Sequence, residues 1–331
     1  MKKSLIALAV LAASSAAMAQ SSVTLYGLAD VWFGSVETDD GVKKQSVTQL
    51  TSGGVNTSRW GMKGSEDLGG GLKANFQLEK GFDLDTGGEK GSGFDRQAWV
   101  GLSGGFGDVA VGKVWTAYDD VNGASNAVFD SALSATNGVF VSASYEDNPA
   151  NGFRYTSPTM SGFTAAVSYS LDEEVASGLA ATSISLSYAA GPLAVQFGYQ
   201  DESLNGGGTG YGDQTFMRLG ASYDFGVAVA KVSYGDVKNV EYTNGLDATE
   251  YQIGVDIPLS PALTISANYA ASEDDSAAVN DAERSGYGIA AAYTLSKRTF
   301  LYGGYRHSKT EVSGTPDNTV SVFAVGVQHK F

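Results

Sequence analysis

Several segments of the chain alternate apolar and polar residues with a period of two. In residues 193–200, Leu193, Val195, Phe197 and Tyr199 share one face, and Ala194, Gln196, Gly198 and Gln200 share the other. Residues 163–170 and 263–269 repeat the pattern. This is the period of a β-strand, whose successive side chains point to opposite sides. Strands with one apolar and one polar face fit either a half-solvated sheet, covered by a second sheet, or the wall of a barrel in lipid. The apolar face often ends in a tyrosine: Tyr169, Tyr188, Tyr199, Tyr223, Tyr269 and Tyr293. Amphipathic rings at strand ends suit a membrane interface and favour the barrel. Short connections recur at 67–71, 103–108, 161–162, 190–192, 224–226, 259–261 and 296–298. Between them lie longer polar, acidic stretches at 36–53, 83–95, 172–178, 201–214, 236–247, 272–284 and 308–318. The segments number about sixteen, centred near Ala29, Met62, Gln77, Val100, Val111, Tyr155, Val167, Ile184, Val195, Leu219, Val229, Ile253, Ile265, Ile289, Gly303 and Val325. An even count brings both termini to one side, and sixteen strands enclose water rather than a packed interior. The expected fold class is therefore all-β, a transmembrane antiparallel barrel of about sixteen strands.

The first residues decide which solvent this pattern meets. Lys2 and Lys3 precede an apolar run from Leu5 to Ala13, and Ala17-Met18-Ala19 stands just before Gln20. That is the layout of a secretory signal cleaved between Ala19 and Gln20. Residues 1–19 are expected to be removed, leaving 20–331 as a single barrel domain. The apolar run falls short of the ~20 residues a spanning helix needs. With no cysteine in 331 residues, disulfides and thiol chemistry are excluded. A formal net charge of −15 argues against nucleic acid as a partner. The abundance of glycine (43) and tyrosine (17) agrees with many strands joined by tight turns.

The end of the chain carries a second signal. Phe323, Val325, Val327, His329 and Phe331 share one face, and Ala324, Gly326, Gln328 and Lys330 share the other. An alternating strand ending on phenylalanine looks like the recognition signal of the outer-membrane barrel-assembly machinery. In hydrocarbon an open edge would leave unpaired backbone groups at several kcal/mol each, so the barrel must close. The strand starting near Val23 and this last strand are the natural closing pair.

Five stretches together resemble a known family: SSVTLYG at 21–27, SRWGMKGSEDLGGGLKANFQLE at 58–79, DRQAWVGLS at 95–103, FRYTSP at 153–158 and VQHKF at 327–331. The set is similar to the Gram-negative general diffusion porins, most closely those of β-proteobacterial type. The resemblance implies a sixteen-stranded outer-membrane barrel, a homotrimer, contact with the lipid bilayer and lipopolysaccharide, and passive passage of small hydrophilic solutes. It also implies a third loop folded into the lumen.

The longest irregular stretch, about 116–150, is the candidate for that loop. It carries Asp119, Asp120 and Asp130 among small residues, and its first half lacks Lys and Arg. Opposite it, Arg59, Arg96 and Arg154 are expected at similar depth on the second, fourth and sixth strands, with Lys113 as a weaker fourth member. An arginine facing lipid at mid-depth would cost ~2–4 kcal/mol. Trp60, Met62 and Trp99 are assigned the outward parity, which turns the arginines toward water. They match the positions of the family's basic ladder. The competing reading is structural arginines paired with wall carboxylates such as Glu79. Three arginines favour anions, whereas Asp119, Asp120 and the acidic mouth favour cations, so the expected charge selectivity is weak.

Other signals carry less. Asp83-Leu-Asp-Thr-Gly-Gly-Glu starts like a calcium loop, but the twelfth position is Phe94 rather than the required glutamate. The glycine run at 206–212 has no following helix or Lys-Ser/Thr to make a phosphate cradle. Only His307 and His329 are available for metal or triad chemistry, and no Gly-x-Ser-x-Gly occurs. No enzyme activity, metal or cofactor is expected. A substrate-specific channel for sugars or organic acids, and a secreted β-rich adhesin, are the alternatives to a general pore.

Overall fold

The computed structural model describes residues 22–172, 179–204, 212–276 and 281–331. The Ala19/Gln20 junction lies outside these residues. The chain forms strands β1 (Ser22–Asp39), β2 (Lys44–Ser52), β3 (Arg59–Gly69), β4 (Leu72–Gly81), β5 (Gln97–Gly104), β6 (Gly107–Lys113), β7 (Gly152–Thr156), β8 (Phe163–Ser170), β9 (Leu179–Ala190), β10 (Leu193–Leu204), β11 (Gln214–Asp224), β12 (Val229–Lys238), β13 (Asp247–Pro258), β14 (Leu263–Asp275), β15 (Ala282–Ser296), β16 (Thr299–Val312) and β17 (Asn318–Lys330). Each pairs antiparallel with its chain neighbour, except that β2 and β3 are collinear. Both lie along β1, β2 opposite Val31 to Asp39 and β3 opposite Ser22 to Leu28. They are two halves of one wall strand, so the seventeen segments make a sixteen-stranded barrel.

The seam closes as expected. β1 pairs with β17 from Leu28↔Lys330 to Asp39↔Thr319. Below that, Gly27 and Phe331 exchange two backbone hydrogen bonds at 3.0 Å. A Cβ at Gly27 would lie 2.1 Å from the Phe331 ring, so the glycine leaves space for the terminal ring to lie against the seam.

Within the membrane band, outward positions are mostly apolar. Phe33, Leu25, Val100, Ile253 and Ile289 are each at least half exposed. Val195, Phe197 and Ile265 are also partly exposed, with no second sheet over them. On β15, Tyr293 and Tyr287 mark two tyrosine levels six residues apart, ~20 Å along the strand at ~3.3 Å per residue. The long polar stretches are shorter as loops than the polarity suggests. β2 occupies Lys44–Ser52, and β14 and β15 continue to Asp275 and from Ala282. Polar residues there alternate on ribbons that rise beyond the apolar band, where water accepts both faces.

The break between β2 and β3, residues 53–58, wraps the Asp30 carboxylate. Gly54, Val55 and Asn56 donate their amides to it at 2.9–3.1 Å, and the Tyr302 hydroxyl donates at 2.6 Å. The Asp30 carbonyl accepts the Gly53 amide at 2.9 Å together with the Ser52 and Ser58 hydroxyls, and the Asp30 amide donates to Ser58 in place of a ladder carbonyl. The arrangement satisfies a fully buried acid without a cation. Asp30→Ala should lower barrel stability by ~3 kcal/mol, because three amides lose a charged acceptor in a buried site. The readout is the temperature at which detergent-solubilised protein loses its compact gel mobility; an unchanged temperature would contradict the role.

Candidate pore constriction

The segment between β6 and β7 turns into the barrel and packs on the inner wall of β8 to β16. Four short turns of 3₁₀ helix (Tyr118–Asp120, Val128–Asp130, Ala135–Gly138 and Val141–Ser144) order it. The only buried apolar clusters among the described residues form where it meets the wall or the seam. Val121 and Tyr118 pack with Phe216 and Val237, and Ala127, Val128 and Leu133 pack with Trp32, Ala290 and Tyr302. Small inward wall residues make room. A Cβ at Gly288 would stand 2.2 Å from the Leu133 carbonyl oxygen, which the loop backbone could not yield.

Polar wall residues hold the loop backbone. Ser183 and Ser168 accept from the Ala117 amide, Gln252 donates to Ser125, Asn268 accepts from Ala135, and Ser272 donates to Val139. At the centre, Glu250 accepts the Val141 and Ser142 amides at 2.8 and 3.1 Å. Beside it, Arg218, 1% exposed, donates to Asn122 at 2.9 Å and Asn126 at 2.6 Å and stacks on the Phe140 ring at 4.8 Å. Arg218 and Glu250 were not singled out in the sequence. Their inward parity inside apolar strands was the available signal, since a charge there must face water or a partner.

The open side of the lumen lies against β3 to β7, and Arg59, Arg96 and Arg154 stand on it. Arg59 and Arg96 converge on Glu79, at 3.5 and 2.8 Å. The Tyr26 hydroxyl donates to the same carboxylate at 2.9 Å, and Gln77 donates to Tyr26. Arg154 grips Asp120 with two bonds of 2.6 and 2.7 Å and donates to the Trp115 and Thr116 carbonyls. Trp115 joins the two groups, because the Arg96 guanidinium lies 5.0 Å from its ring. Lys113, expected as a fourth member, stands instead opposite Ala98 on the outward parity of β6, and it donates to the Asn148 carbonyl.

The arrangement differs from the sequence expectation in four further respects. Glu79 neutralises one of the two arginines it holds, so pairing with a wall carboxylate and a basic wall coexist. Arg154 bridges to the loop instead of facing it across a gap. Arg96 precedes β5, and its side chain turns inward to Glu79 from outside the strand alternation. Trp99 points into the lumen: Ala98, Val100 and Leu102 hold the outward parity of β5, and Trp99 lines the same hollow as Arg154 and Asp119. Asp119 and Asp120 are adjacent to the arginines. Asp130 is held by Asn126 at 2.7 Å and does not share that hollow.

The loop acids are electrostatically unequal. Burial raises the Asp119 carboxyl, opposed by the Tyr145 hydroxyl donating to it at 2.6 Å. Asp147 is pushed up to about 6 by burial and by the Asp119 and Glu146 charges; Arg96 and Lys113 oppose the shift.

Glu250→Leu should destabilise the barrel by ~3 kcal/mol, because it strands Arg218 and two loop amides. Urea unfolding in detergent micelles, followed by tryptophan fluorescence, measures it; a loss below ~1 kcal/mol would show that the loop is held elsewhere.

Comparison with known proteins accords with this architecture. The family model for Gram-negative porins matches residues 5–313. Outer membrane porin protein 32 of Delftia acidovorans is 36% identical over 347 aligned residues, covering 99% of this chain and 95% of that protein. Major outer membrane protein P.IB of Neisseria meningitidis is 32% identical, with full coverage of both chains. The solved anion-selective porin from Comamonas acidovorans superposes with a TM-score of 0.79 at 27% identity, covering 94% of this chain and all of that one. A closed sixteen-strand barrel with an apolar exterior and a loop seated in its polar interior thus belongs to the Gram-negative porin family, and the chain is an outer-membrane porin.

Proposed function

We propose that the lumen beside β3 to β7 is a passive constriction for ions and small hydrophilic solutes with a weak preference for anions. Arg59, Arg96 and Arg154 form its basic side, and Asp119 and Asp120 its acidic side. The observation that carries the sign is the sharing of Glu79: one carboxylate serves two guanidiniums, which leaves positive charge in surplus. Asp120 neutralises Arg154. Burial raises the Asp119 carboxyl, and Asp147 is pushed up to about 6. Fixed charges at a narrow passage set ion preference through the local potential. The sign agrees with the anion selectivity named for the Comamonas relative.

The same reading makes the protein a channel without a chemical step. It assembles as a homotrimer in contact with bilayer lipid and lipopolysaccharide. Its export depends on residues 1–19, with cleavage between Ala19 and Gln20. Barrel assembly uses the terminal face of Phe323, Val325, Val327, His329 and Phe331. β17 presents Phe323, Val325 and Val327 outward, and Phe331 is exposed at the seam.

Two measurements in planar bilayers test the selectivity. Arg59→Ala should move the reversal potential in a KCl gradient toward cations by several millivolts, as expected for loss of one fixed charge at the constriction; a shift toward anions would reject the assignment. Lowering the pH through 6 should move wild-type reversal potential toward anions, because Asp147 binds a proton and loses its negative charge. In Asp147→Asn that step should vanish. The linked stability has the opposite order: the folded chain holds the Asp147 proton more tightly than the unfolded chain, so stability from this group falls as pH rises from the usual aspartate range to about 6.

A further inference from the structure

Trp99 stands where two hollows of the lumen meet. One, of about 350 Å³, includes Trp115, Asp119 and Arg154. The other, of about 410 Å³, lies toward the short turns and includes Lys63, Lys73, Asn75 and Gln77. Trp99 and Asp108 border both.

The indole is placed as an uncovered platform. On the β6 side its inward neighbours are small: Gly112 lies opposite it, Gly101 is two residues further along β5, and Ala110 is opposite Gly101, while Gln77 stands beside it on β4. Its N–H is already committed to the Gln97 side-chain oxygen at 3.0 Å, which orients the ring and leaves its face for stacking. Among the described residues no aromatic ring pairs with it, whereas Trp60 in the neighbouring wall packs edge-on to Phe94.

Beside this platform stand two ammonium groups that form no ion pair among the described residues, with Asp108 lining the same hollow. Lys63, Gln77 and Trp99 occupy one cross-strand row. At ~4.8 Å per strand, the Lys63 and Trp99 backbones are about 10 Å apart, so a ligand one ring long reaches from the indole to the ammonium. Lys63 leans over the Tyr26 ring at 5.2 Å, and among the described residues neither Lys63 nor Lys73 has a carboxylate within 4.0 Å. Asp67, opposite Lys73, is committed to the Gly69 amide at 2.8 Å. Asp108 sits at the other edge, two strands from Lys73 through Ser103.

We propose that this is a solute-binding subsite for small aromatic carboxylates. The ring stacks on the Trp99 indole and the carboxylate lies between Lys63 and Lys73. The proposal rests on the lumen being the conducting passage. It adds a residence site, short of the basic constriction, that raises the local concentration of such solutes. Affinity on the order of millimolar matches a site that must also release its ligand.

The test uses the full-length porin in planar bilayers, with chloride conductance read as benzoate, acetate and benzyl alcohol are titrated in turn. Benzoate should reduce chloride conductance saturably, whereas acetate, with charge but no ring, and benzyl alcohol, with ring but no charge, should not at equal concentrations. Trp99→Ala should raise the half-blocking benzoate concentration about tenfold, the range of one lost stacking contact, while Trp99→Phe keeps it within about threefold. The double variant Lys63→Gln, Lys73→Gln should remove the difference between benzoate and benzyl alcohol. A conducting wild-type channel with no saturable benzoate block overturns the subsite alone, as does equal block of wild type and Trp99→Ala. A wild-type protein that conducts no chloride overturns both the subsite and the channel reading.

Discussion

Every peptide group in the wall must find its partner within the sheet, because hydrocarbon offers none. The rest of the structure depends on this constraint. It forces the long first strand to meet the last one over Leu28 to Asp39 and to end on the reciprocal bonds of Gly27 and Phe331. Closure then divides every strand into two environments. Outward residues in the membrane band meet lipid and are mostly apolar. Inward residues meet water or the inserted loop and can be charged, which is what allows arginines at mid-wall.

The loop is retained by the opposite logic. Its apolar residues are buried inside the barrel, although the exterior is the greasier surface. They fill gaps opposite small wall residues, and the wall's serines, glutamines and Asn268 satisfy its backbone. Glu250 and Arg218 add charge-assisted bonds in a place from which water is excluded. A buried pair of this kind is weak evidence for net stability but strongly specifies one position for the segment it holds. Asp30 does the same at the broken second strand, using amides and a tyrosine where a cation would otherwise be required. The lumen is narrowed by a segment fixed at many points, and the charges that segment carries are correspondingly fixed.

The wall was legible in the residues. The period of two, the turn punctuation and the tyrosine levels located each strand, and every expected strand centre lies within an observed one. The third loop and the basic residues at 59, 96 and 154 were legible through length, charge and family resemblance. The polar residues 44–52 give no strand signal in the sequence, because above the bilayer a ribbon has no apolar face to show. Trp99 was placed outward by counting from Arg96. Strand parity holds only within a strand, and Arg96 lies just outside one.

Alternation along the chain, by itself, determined an all-β wall with a lipid side and a wet side, because the two solvents imprint on alternate residues. It could not decide which charges inside that wall meet. Glu79 lies between Arg59 and Arg96, and Arg154 reaches Asp120, only because strand register and the path of the loop bring distant residues within hydrogen-bonding range. Local pattern records solvent, one residue at a time; pairing among inward charges is a property of the closed barrel, where curvature and loop placement set the distances.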